Sequence, residues 1–253
     1  MSHIHTELHD GVQHIQLNRP QKKNALTVEM YAALADALRA AEADPAVRVI
    51  LLRGLPEVFT SGNDGGDFLH QPVQSLDAPV FQFLRALMQA EKPLIAAVAG
   101  DAVGIGTTLL LHCDLVIAAD NARFSLPFTK LGLCAEAASS LALPLIVGWR
   151  RAAELLLSGE PISAARACDW GLVNRVVPAP ELQAHALAAA AQLVARPPEA
   201  VRACKSLLRR RLLPALEQAL VDEAHEFHAL LGRPAAQEAL SAFVHKRAPR
   251  FAF

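Results

Sequence analysis

Polar residues punctuate an apolar run from Val12 to Leu17, the spacing of a strand, and Asn18-Arg19-Pro20 closes it. Thr27 then caps a helical stretch in which Met30, Leu34, Ala37, Leu38 and Ala41 share one face, ended by Asp44-Pro45. Val47 to Leu52 is a near-continuous β-branched and leucine run, the pattern of a strand buried on both faces. A polar, glycine-bearing loop follows from Leu55 to about Asp67, then a helix over Ala78 to Ala90 and a strand over Leu94 to Val98. Gly104 opens a short apolar helix to about His112, and Leu115 to Ala118 returns as a strand. The pattern predicts further helices over Glu136 to Leu145, Arg150 to Leu157 and Ala164 to Asp169, and a last strand over Leu172 to Val177.

After Pro178-Ala179-Pro180 the character changes. Glu181 to Ala195, Glu199 to Arg211, Ala215 to Leu231 and Ala235 to Phe243 all read as helix, separated by prolines and by Gly232. Periodicity alone supports a mixed α/β chain with a helical tail.

Composition narrows the function classes. The 253 residues are 53% hydrophobic and 19% charged, which argues against disorder and for extensive burial. A net charge of −1 gives no global field for nucleic acid or anionic lipid, so any site for an anionic ligand must be built locally. Cys113, Cys134, Cys168 and Cys204 are widely spaced without a CxxC pair and read as reduced thiols of a cytoplasmic protein. The start MSHIHTELHDG has no apolar signal region, no apolar run reaches membrane-spanning length, and the end lacks a Ser-Lys-Leu address. The expectation is a cytoplasmic protein with no membrane and no nucleic-acid partner.

Three blocks carry candidate chemistry. Phe59 to Asp64 reads FTSGND, Pro93 to Gly106 reads PLIAAVAGDAVGIG, and Phe124 to Ser140 reads FSLPFTKLGLCAEAASS. Gly62 permits a tight turn before Asn63, and Gly104 and Gly106 let backbone approach a ligand on either side of Ile105. Ile105 falls at a helix N-terminus, where unpaired N–H groups favour negative charge. Glu136 lies among Leu131, Leu133, Ala135 and Ala137, surroundings that would desolvate a carboxyl and raise its pKa. On residues alone, a glutamate in the first turn of a helix also simply complements the helix dipole. Asp64 and Asp101 are alternative bases. His225 and His228 stand at i, i+3 beside Glu223 and Glu226, but no further ligand pattern accompanies them, so no metal is expected.

In that order the three blocks resemble the crotonase (enoyl-CoA hydratase/isomerase) superfamily across the whole chain. The resemblance implies a spiral of ββα units over residues 1–195, carrying the coenzyme A and catalytic site, and a C-terminal helical oligomerisation region over 196–253. It implies that the backbone N–H groups of Asn63 and Ile105 hold a thioester oxyanion. Hydratases of the family carry two glutamates at positions that here hold Thr108 and Phe128, whereas Glu136 sits where the Δ3,Δ2-enoyl-CoA isomerase branch carries its single base. By the same resemblance Arg19, Lys23, Ser61, Gly62, Asn63, Asp64, Gly104, Ile105 and Lys246 contact the coenzyme A substrate, which is the acyl carrier rather than a separate cofactor. Homotrimers or hexamers are implied too. The expected activity is conversion of a 3-enoyl-CoA to trans-2-enoyl-CoA. The alternatives are an enoyl-CoA hydratase or another crotonase-type acyl-CoA lyase or hydrolase, and a non-catalytic acyl-CoA-binding protein.

Overall fold

The computed structural model describes residues 3–66, 75–245 and 247–251. Its strands form two sheets. One has six strands, in the order β1 (Ile4–His9), β2 (Val12–Leu17), β3 (Val49–Arg53), β5 (Leu94–Val98), β7 (Leu115–Ala119) and β10 (Arg175–Val177). The other has four: β4 (Val58–Thr60), β6 (Asp101–Val103), β8 (Arg123–Ser125) and β9 (Ile162–Ser163). Successive pairs β3–β4, β5–β6 and β7–β8 each give one strand to each sheet, and neighbouring turns of the spiral pair in parallel. This is the expected spiral of ββα units.

The continuous apolar run in β3 is explained by its two neighbours. Ile50 and Leu52 enter the main core between the sheets and helices, while Val49 and Leu51 enter a second core on the opposite face. Helix α7 (Leu182–Val194) covers that second face with Leu182, Ala186 and Ala190. Helix α1 (Val28–Ala43) begins at Thr27, whose hydroxyl accepts from the Met30 N–H at 3.2 Å, and buries Met30, Leu34 and Leu38 as the spacing predicts. It packs against α2 (Pro79–Gln89), where Tyr31 and Phe83 meet at 5.7 Å between ring centroids.

Next come α3 (Ile105–Thr108), continued by a 3₁₀ turn over Leu109–His112, then α4 (Ser139–Val147), α5 (Trp149–Ala153) and α6 (Ala164–Asp169). The tail comprises α8 (Pro198–Arg209), α9 (Leu213–Leu231) and α10 (Pro234–Val244). It is not set apart from the core, because Leu216, Leu220 and Ala236 belong to the main cluster. Among the described residues no helix is long and apolar enough to cross a membrane.

The pattern misplaces some edges for physical reasons. Strands β1, β4, β6, β8 and β9 are too short or too polar to show a period of two. The helix expected from Glu136 begins instead at Ser139, because Ala137 and Ala138 are both left-handed, with φ of 60° and 56°. Glu136 therefore stands in a loop and not in the first turn of a helix.

Candidate active site

Two parallel neighbours, β4 and β6, deliver the glycine-bearing turns side by side. After β4, a bridge joins Leu26 to the Asn63 turn: the Leu26 N–H donates to the Gly62 carbonyl and the Asp64 N–H to the Leu26 carbonyl, each at 2.8 Å. That alternation leaves the Asn63 N–H pointing away from the bridge. After β6, the Gly104 carbonyl accepts from the N–H groups of Thr107 and Thr108, at 2.8 and 3.0 Å. Ile105, first in α3, has no carbonyl in its helix for its own N–H.

The close fit of the two turns requires small residues. A Cβ on Gly106 would lie 2.6 Å from Thr60 Cγ2, and one on Gly62 would lie 3.1 Å from the Val103 carbonyl oxygen. Gly104 has φ of 55°, a conformation a side chain rarely adopts.

Side chains brace this backbone. The buried Asn24 amide donates to the carbonyl of Phe59 at 3.0 Å, and Thr60 Oγ1 donates to the Asn24 carbonyl at 2.7 Å. The Ser61 N–H donates to the Lys23 carbonyl, while the Lys23 side chain is exposed. Arg19 forms an ion pair with Asp64 at 2.6 Å and also donates to the Ala25 carbonyl, tying the loop after β2 to the residue after Asn63. Tyr31, buried in α1, donates its hydroxyl to Asn63 Oδ1. The expected Lys246 contact lies outside the described residues.

Glu136 faces a cavity of about 320 Å³. Asn63 also lines it, so the Asn63 turn and Glu136 meet there. Apolar walls come from Val80, Phe81 and Leu84 of α2 and from Leu220, Phe227 and Leu231 of α9. Burial pushes the Glu136 carboxyl up to about 8; the Thr108 hydrogen bond pulls it down and the charge of Glu223 pushes it up. That bond runs from Thr108 Oγ1 to Glu136 Oε1 at 2.5 Å. Phe128 is buried beside Gly104. The two other candidate bases stand elsewhere: Asp64 is paired with Arg19, and Asp101 is exposed at the far end of β6 from Ile105.

Two contributors were missed in the sequence. Glu223 on α9 is buried and accepts from the N–H groups of Ala138 and Ser140, at 2.6 and 2.7 Å. The buried His112 donates through Nε2 to the Ala137 carbonyl at 2.7 Å, and burial lowers its pKa to about 4, which keeps it neutral. The helix period was the available signal, since Glu223 shares a face with Leu216, Leu220 and Phe227 while its exposed neighbours Asp222 and Glu226 do not; its partners, more than eighty residues away, could not be read. Among the described residues no group of His, Cys, Asp or Glu is placed to hold a metal ion.

A sequence model described as enoyl-CoA hydratase/isomerase matches residues 7–252. The chain belongs to the enoyl-CoA hydratase/isomerase family. A probable enoyl-CoA hydratase of Mycobacterium leprae is 38% identical over 250 residues, covering 97% of each chain. The human enoyl-CoA delta isomerase 2 is 35% identical over 243 residues, covering 93% of this chain and 61% of that protein. A crystal structure of an enoyl-CoA hydratase/isomerase from Pseudoalteromonas atlantica superposes with a TM-score of 0.95 at 40% identity, over 99% of this chain and all of that one. Family membership makes this an enzyme fold acting on acyl-CoA thioesters, and its relatives include both hydratases and isomerases by name.

Proposed function

We propose that the protein isomerises 3-enoyl-CoA to trans-2-enoyl-CoA. Glu136 removes a proton from C2 of the thioester, and the electron pair moves onto the carbonyl oxygen to give an enolate. The N–H groups of Asn63 and Ile105 stabilise that oxyanion, a contribution of about 10²–10³ in rate per donor. The protonated Glu136 then returns its proton at C4, and the double bond settles between C2 and C3. A carboxyl raised by burial suits a group that must both take and give a proton.

One observation carries this reading. Among the described residues, Glu136 is the one cavity carboxylate not committed to backbone. Hydration needs a second acid–base group to manage water, and Glu223, the other carboxylate in the wall, has one N–H on each oxygen. Thr108 is no base near neutral pH, and Phe128 has no proton to give. The hydratase reading draws equal support from the names of relatives. An assay with 3-enoyl-CoA substrates of several chain lengths, run beside hydration of crotonyl-CoA, separates the two. Fast isomerisation with slow hydration supports isomerase; comparable rates overturn it.

The same reading puts the coenzyme A moiety against Lys23, Ser61 and Lys246, with Arg19 acting through Asp64. It needs no cofactor beyond the substrate's own coenzyme A. We further infer a cytoplasmic homotrimer or hexamer, with the helices after Glu181 at the contacts.

A further inference from the structure

The turn that follows Glu136 is held in an unusual state. Ala137 and Ala138 are consecutive left-handed residues, and neither is a glycine or an asparagine. Such a turn persists only where its surroundings over-determine it. Helix α4 begins there with Ala138 at its cap position, and that residue offers no side-chain acceptor. The acceptor arrives from another helix: Glu223 Oε2 takes the Ala138 N–H and Oε1 takes the Ser140 N–H. His112 secures the opposite side through the Ala137 carbonyl.

Glu223 is 6% exposed, and among the described residues no lysine or arginine pairs with it. Its charge is balanced by backbone N–H groups at the start of a helix, an arrangement that suits an anion. Burial without a cation is costly for a carboxylate, so its placement needs a reason beyond packing.

We propose that Glu223 is a positioning residue for Glu136, fixing from α9 the left-handed turn that aims the Glu136 carboxyl at Thr108 and the cavity. This rests on the reading of Glu136 as the base. Helix α9 also supplies the cavity wall through Leu220, Phe227 and Leu231, so one rigid element sets both the acyl wall and the direction of the base.

Glu223 also acts on Glu136 through charge, raising its pKa. The described groups facing Glu136 are Tyr31 from α1, Thr108 from α3, Cys134 from its own loop, and Glu223, His225 and His228 from α9. Of these, Glu223 is the carboxylate. Removing its charge lowers the pKa of Glu136, so the acid limb of activity, where the base becomes protonated, moves to lower pH.

The test compares Glu223→Gln and Glu223→Ala with Glu136→Gln, using 3-enoyl-CoA as substrate and a saturated acyl-CoA as a binding probe. Glu223→Gln keeps size and one acceptor, and guards against a failure of Glu223→Ala to fold. The expected result is a fall in kcat of roughly 10²-fold, the cost typical of a misplaced catalytic group. Affinity for the saturated acyl-CoA stays unchanged, and the acid limb shifts downward in Glu223→Gln. Unchanged kcat and an unmoved acid limb in folded Glu223→Gln would overturn the proposal. A crystal structure of either variant gives a readout independent of activity: the Ala137–Ala138 turn relaxes if Glu223 holds it and keeps its geometry if Glu223 does not. Should Glu136→Gln stay fully active while that turn relaxes, the base assignment fails and the hold of Glu223 on the loop stands.

Discussion

Thr108 Oγ1 and Glu136 Oε1 lie 2.5 Å apart, and the hydroxyl donates to the carboxyl. By the resemblance, Thr108 takes the place of a hydratase carboxylate, and here its hydroxyl is bonded to the proposed base. The bond stabilises ionised Glu136 against the burial that opposes ionisation. Its consequences can be measured.

Glu136→Gln preserves size and hydrogen-bonding reach but cannot accept and return a proton. Isomerase kcat should fall by about 10²–10⁴-fold. Affinity for a saturated acyl-CoA should be retained, because the proposed thioester donors are backbone groups of Asn63 and Ile105. Isothermal titration beside steady-state kinetics checks both halves. A variant that keeps more than about half its activity, outside that range, would leave Glu136 as a structural carboxylate.

Thr108→Val removes the donor at nearly constant volume. Losing a hydrogen bond to the ionised form raises the pKa of Glu136 beyond its present value of about 8. The acid limb of kcat/KM should therefore move to higher pH, the reverse of the shift expected for Glu223→Gln. A pH–rate profile that does not move would show that the hydroxyl leaves the base untouched.

Stability should depend on pH through the same group. Glu136 is an acid whose folded pKa of about 8 lies above its ordinary 4.5, so the native state keeps a proton that the unfolded chain releases. Its contribution is fully present below about 4.5 and is lost as pH rises toward 8. Glu223, raised by burial, adds in the same direction. His112 opposes them on the acid side: burial lowers it to about 4, so stability falls as pH drops from 6.5 toward that value. Unfolding midpoints of Glu136→Gln and the parent across about pH 5–8 should diverge, with the variant losing less toward alkaline pH.

Gly106→Ala drives a methyl group to 2.6 Å from Thr60 Cγ2, where β4 and the start of α3 touch. Overpacking of this kind costs about 1–3 kcal/mol. It should also part the Asn63 and Ile105 turns. Thermal unfolding should register the first effect, and a fall in kcat per folded molecule the second. Full kcat in the folded variant would count against an oxyanion site that depends on that spacing.

Assembly gives the last prediction. Leu145, Trp149 and Leu157 are 58%, 77% and 73% exposed in the single chain, and Leu207 and Leu208 stand out on α8. Large apolar side chains in such numbers call for cover. Sedimentation at micromolar concentration should give a trimer or a hexamer, and a stable monomer would refute this.

What the sequence determined by itself was set by local physics. A short, β-branched apolar run such as Val49 to Leu52 suits a strand covered on both faces, so β3 was legible before its neighbours were known. The Thr27 cap, the α1 face and the glycines around Ile105 were legible too, because turn geometry and helix period depend on nearby residues. Glu136 was singled out as the candidate base by its place in a motif. Tertiary structure decided how that carboxyl is held. Thr108 reaches it across 28 positions and Glu223 grips its turn across more than eighty, so neither contact leaves a period in the chain. The left-handed pair Ala137–Ala138 could not be read either, since alanine favours helix and the contacts that Glu223 and His112 make with it come from distant parts of the chain.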